Sequence, residues 1–74
     1  MKAIINNKLY DTETAEVVIS RCDFVIYKTL KGAYFKHNLV TAEVTILTKE
    51  AVKRILGRLD PDEYIKRFGE VEEA

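Results

Sequence analysis

The sequence predicts a small α+β domain: an antiparallel sheet of about four or five strands, followed by two short helices packed on one of its faces. Three observations carry this. Residues 23–36 are β-branched and aromatic on both sides of Lys31-Gly32, as in a hairpin. The strand-like segments all precede residue 48, and two amphipathic helical patterns close the chain. Strands first and helices last is the order of an antiparallel α+β layer structure.

Taken in order, Ala3-Ile4-Ile5 and Lys8-Leu9-Tyr10 flank Asn6-Asn7. Asparagine tolerates the left-handed backbone of a two-residue turn, so a first hairpin is expected here. Asp11-Thr12-Glu13-Thr14 is polar, and reads as a turn or a single helical turn capped by Asp11 or Thr12. Residues 15–21 read as strand because Val17-Val18-Ile19 are stiff at χ1; a helix over 14–20 is the competing reading. In the central hairpin, Phe24, Ile26 and Leu30 fall on one face, with Val25, Tyr27 and Thr29 on the other. The return strand sets Ala33, Phe35 and His37 against Tyr34, Lys36 and Asn38, and Asn38 marks a further turn. A last strand is expected over 42–47.

Thr48 is placed to cap a helix over 49–59, whose apolar stripe is Ala51, Val52, Ile55, Leu56 and Leu59. Its outer face is Lys49, Glu50, Lys53, Arg54 and Arg58. Asp60 caps a second helix over 61–68, with Pro61 in its first position and Asp62 and Glu63 in its first turn. Tyr64, Ile65 and Phe68 are expected to face inward, and Gly69 to stop the helix. Residues 70–74 read as a frayed acidic tail on a single domain spanning 1–74.

Composition bounds the chemistry. At 74 residues the chain buries only about 60–65% of its unfolded surface. Cys22 is the only cysteine and His37 the only histidine, so neither a disulfide framework nor a structural zinc site is expected. A lone cysteine and an amino terminus without an apolar core suit a reducing, cytoplasmic setting, and no run approaches a membrane span. A scaffold this small and unstapled also invites self-association through paired edge strands.

No glycine-rich phosphate loop, metal-spaced histidine pair or nucleophile motif is present, and no cofactor is expected. The reading is a non-enzyme. Formal charge is zero overall but uneven along the chain. Residues 21–59 are basic, whereas 60–74 set Asp60, Asp62, Glu63, Glu70, Glu72 and Glu73 against Lys66 and Arg67. Zero net charge disfavours a dedicated duplex binder, although Tyr27, Lys28, Lys31, Tyr34 and Lys36 interleave aromatic and basic residues as single-strand binders do. The plainer account is a solvated or protein-facing surface, since strands favour tyrosine and edges favour lysine.

Three stretches carry a family resemblance: Tyr10-Asp11-Thr12-Glu13-Thr14-Ala15, Tyr27-Lys28-Thr29-Leu30-Lys31-Gly32-Ala33-Tyr34-Phe35, and Asp62-Glu63-Tyr64 with Phe68-Gly69-Glu70. In these the chain resembles a group of small proteins carried by phages, prophages and integrative elements, especially among Firmicutes. It departs from that group between the hairpin and the first helix, where relatives have a longer, glycine-bearing segment and this chain has only residues 37–47. The resemblance implies an accessory protein that binds a host protein, in the manner of anti-CRISPR inhibitors. The expected mechanism is occlusion of a basic groove on a CRISPR effector by the acidic residues 60–73, with the hairpin's Tyr and Lys residues completing the contact. The second expectation is a nucleic-acid-binding accessory protein using the hairpin.

Overall fold

The computed structural model describes residues 1–69 and 71–74. The chain runs β1 (Lys2–Ile5), β2 (Lys8–Asp11), β3 (Glu16–Ser20), β4 (Phe24–Lys28), β5 (Tyr34–Asn38), β6 (Val44–Leu47), α1 (Lys49–Leu59) and α2 (Pro61–Phe68). The strands form two antiparallel sheets: a two-stranded hairpin β1-β2, and a four-stranded meander in the order β3-β4-β5-β6. The expected α+β class is therefore the observed one, with the first hairpin standing apart as its own sheet. No helix is long and apolar enough to cross a membrane among the described residues.

Local chemistry explains the turns. Asn6 and Asn7 both take left-handed backbone, at φ 52° and 64°, as a two-residue hairpin turn requires. Between β4 and β5, Gly32 N–H donates to the Thr29 carbonyl at 2.9 Å and Thr29 N–H to the Ala33 carbonyl at 2.7 Å. Gly32 sits at φ 91°, the left-handed position that follows a type I turn in a three-residue hairpin loop. The β5–β6 loop closes through Asn38 N–H on the Glu43 carbonyl, while Asn38 Oδ1 accepts from Val40 and Thr41 N–H. Ala42 lies inside this loop at φ 65°, so β6 starts at Val44, two residues later than the sequence suggests. A non-glycine residue pays about 1–2 kcal/mol for that conformation, which the loop's hydrogen bonds must offset.

Thr48 Oγ1 accepts from Ala51 N–H at 3.1 Å and starts α1. Asp60 serves both helices: its N–H donates to the Leu56 carbonyl at 2.8 Å, and its Oδ1 accepts from Glu63 N–H at 3.2 Å. One residue thus ends α1 and caps α2, so the second helix starts with no loop between them.

The four-stranded sheet carries a separate core on each face. On one face Val18, Ile19, Ile26 and Tyr34 pack with Val52 and Leu56 of α1, and Tyr64 and Phe68 of α2 close the cluster. Consecutive Val18 and Ile19 both reach it because β3 bulges between Val17 and Ile19, breaking the two-residue alternation. On the other face Phe35 is fully buried, with Tyr27 stacked on it at 5.1 Å and Tyr10 of the first hairpin edge-on at 5.4 Å. Helices, sheet and hairpin therefore form three layers. The hairpin covers the two central strands and leaves apolar residues of the edge strands open, with Val17 50% and Ile46 42% exposed. Leu59 and Ile65, read from the helical pattern as inward-facing, are 46% and 39% exposed because α1 and α2 share one sheet face and leave their far sides to solvent.

Candidate functional site

The acidic residues at the carboxyl end divide into two groups. Asp60 is occupied as a cap, and Glu63 accepts from Arg67 Nε one helical turn on. Asp62, Glu72 and Glu73 are exposed, while Glu70 lies outside the described residues. The carboxylates open to a basic partner are thus fewer than the sequence offers, because folding uses two of them internally.

Arg67 explains why Glu63 is occupied. From α2 it reaches across to β3, donating to Glu16 Oε1 at 3.1 Å and to the Val17 carbonyl at 3.2 Å. Burial works against the guanidinium's charge, but its bonds to Glu16 and Glu63 outweigh that and raise its pKa. The same hydrogen bond, with the attraction of the nearby positive charge, holds Glu16 below its ordinary value of 4.5. A carboxyl that releases its proton more easily when folded favours the folded state above the ordinary carboxylate range, and loses that contribution as pH falls through its lowered value. Glu16→Gln is accordingly expected to be slightly less stable than the parent at pH 7, with the gap closing as pH falls below the ordinary carboxylate range. Denaturant titrations across that range check this; a gap that persists at the acid end contradicts it.

The basic and aromatic set of the central hairpin is split by the sheet. Tyr27 faces the hairpin layer, where its ring lies on Phe35. Tyr34 faces the helices, is 8% exposed and meets Phe68 at 6.5 Å between ring centroids. Alternation thus assigns the two tyrosines to opposite cores, and no common stacking surface results. Lys28 pairs across from Glu16, and Lys36 lies over the Phe24 ring at 5.8 Å, both half-buried on the helix side. Of this set only Lys31, in the β4–β5 loop, is exposed. His37 is half-buried in β5, opposite Val25 and Val44. Among the described residues no group of three or more His, Cys, Asp or Glu is arranged to hold a metal ion.

What sequence reasoning missed is an open cleft of about 520 Å³ between the first hairpin and the β4–β5 loop. Leu9, Tyr10, Asp11 and Thr14 line one side, and Leu30, Lys31 and Ala33 the other. Leu9 is 55% and Leu30 85% exposed, so two large apolar side chains border one concave surface. Asp11, also in the lining, is buried, with Oδ1 accepting from Glu13 N–H at 2.9 Å. A signal was available: Leu30 occupies a loop position beside Lys31-Gly32, where turns ordinarily carry polar residues. No family model, curated protein or solved structure matches the chain.

Proposed function

We propose that this chain is a non-catalytic protein-binding module of the kind carried by mobile elements, and that it inhibits a host defence nuclease of CRISPR type by covering a basic surface. The observation that supports protein binding is the cleft bordered by Leu9 and Leu30, because exposed large apolar residues around one concavity suit a protein partner. The exposed carboxylates Asp62, Glu72 and Glu73 supply the charge that steers such a module to a basic groove. In this reading the leucines hold the complex and the carboxylates speed its formation. The finer identity of the partner follows from the resemblance of the sequence to mobile-element proteins.

The test is a tagged pull-down from bacterial lysate containing a CRISPR effector, with and without nuclease treatment. A protein partner retained after nuclease treatment is expected. The double variant Leu9→Asp/Leu30→Asp is expected to weaken its capture at least tenfold, about 1.4 kcal/mol, at unchanged folding. The triple variant Asp62→Lys/Glu72→Lys/Glu73→Lys is expected to slow association and flatten its salt dependence. Recovery that disappears with nuclease treatment would replace this reading with nucleic-acid binding.

A further inference from the structure

The four-stranded sheet has two edges, β3 and β6, and they are treated differently. The β3 edge is closed by a bulge at Val18, by Arg67 donating to the Val17 carbonyl, and by Arg21 donating to the Ser20 carbonyl at 3.1 Å. The β6 edge has none of these devices. Val44-Thr45-Ile46-Leu47 contains no charge and no proline, and among the described residues only β5 pairs with it. Natural edges are ordinarily blunted by bulges, charges or proline, so an edge that carries none of these marks a pairing site.

The direction of its free groups follows from the ladder. Asn38 N–H bonds the Glu43 carbonyl, and Thr45 and Leu47 then repeat that bonded position opposite Lys36 and Tyr34. The backbone N–H and C=O of Val44 and Ile46 therefore point away from the sheet. Thr48 continues the extended run at φ −79° and ψ 161°, whereas Ala42 breaks it on the other side at φ 65°. The extended segment is residues 44–48, and its centre is Ile46.

We propose that β6 pairs with β6 of a second copy of this chain, antiparallel and centred on Ile46, joining two four-stranded sheets into one. In this register each Ile46 exchanges both backbone hydrogen bonds with its counterpart, and Val44 lies opposite Thr48 of the second copy. Glu43 then lies near Lys49 of the second copy, the first residue of α1, at both ends, so the charges flanking the strand are self-complementary. Ile46, 42% exposed beside the hairpin layer, gains an apolar neighbour across the twofold axis. A register centred on Val44 would instead place Ala42, in left-handed backbone, opposite Ile46 and interrupt the ladder. The pairing segment is short, so the dimer belongs to the weak class of interfaces.

Sedimentation equilibrium of the full chain from about 10 µM to about 1 mM tests this. The weight-average mass is expected to rise with concentration from 8.5 kDa toward twice that value. Ile46→Pro removes an outward N–H and the side chain at the axis, leaves the bonded positions of the β5 ladder intact, and is expected to hold the chain monomeric. Glu43→Lys is expected to weaken the dimer several-fold, and Glu43→Lys/Lys49→Glu to restore it. A parent chain that stays monomeric overturns the proposal, as does a folded Ile46→Pro variant that still dimerises. If circular dichroism shows that the proline variant is unfolded, the charge exchange decides: failure of the double variant to restore association overturns the register.

Discussion

Phe35→Ala is expected to cost about 3–5 kcal/mol, a large part of the roughly 5–15 kcal/mol that holds a domain of this kind together. Phe35 is fully buried and is the one ring in contact with both Tyr10 and Tyr27, so the hairpin layer meets the sheet through it. Truncation leaves a cavity between two strands and two aromatic rings, in a layer too thin to collapse onto it. The loss is also expected to be directional. Hydrogen exchange in β1 and β2 should rise first, because a two-stranded hairpin has little stability once its packing partner is gone. Denaturant unfolding gives the total cost, and exchange read residue by residue gives its location. A variant within 1 kcal/mol of the parent would mean that Phe35 does not join the layers, whatever its burial.

Tyr34→Ala, one residue earlier on the same strand, is expected to cost a similar amount, about 3–5 kcal/mol, by releasing the opposite layer. Tyr34 packs within the cluster of Val18, Ile19, Ile26, Val52 and Leu56, and its ring faces Phe68 of α2. Helical circular dichroism is expected to fall for this variant, with α1 and α2 losing protection before β1 and β2 do. The pair of variants therefore separates the two cores by experiment. It also bears on function, since loss of any binding in Tyr34→Ala should track unfolding; a folded Tyr34→Ala chain that loses a binding the parent has would restore the tyrosine to a recognition role.

The candidate site was legible only in part. The acidic and basic residues were visible as composition, but their availability was not. The Asp60 cap follows from the sequence, but the use of Glu63 in an ion pair with Arg67, and of Arg67 to reach a strand fifty residues away, does not. The cleft between Leu9 and Leu30 unites residues from two hairpins that no local pattern connects. The open β6 edge was anticipated only in general terms, as edge strands open to self-association.

By itself the sequence determined the elements and their punctuation. The Asn6-Asn7 turn, Gly32, the Thr48 and Asp60 caps and both helices, 49–59 and 61–68, follow from preferences acting within about four residues, and each is where the sequence places it. Tertiary structure decided which core each strand face joins, that β3 bulges so that Val18 and Ile19 enter together, that Ala42 turns left-handed and shortens β6, and that Arg67 closes one sheet edge while the other stays open. The physical reason is range. Turn and cap energies are local, whereas the side of a sheet that meets a helix or a hairpin is set by the area each arrangement buries between distant segments, and alternation alone treats the two sides as equals.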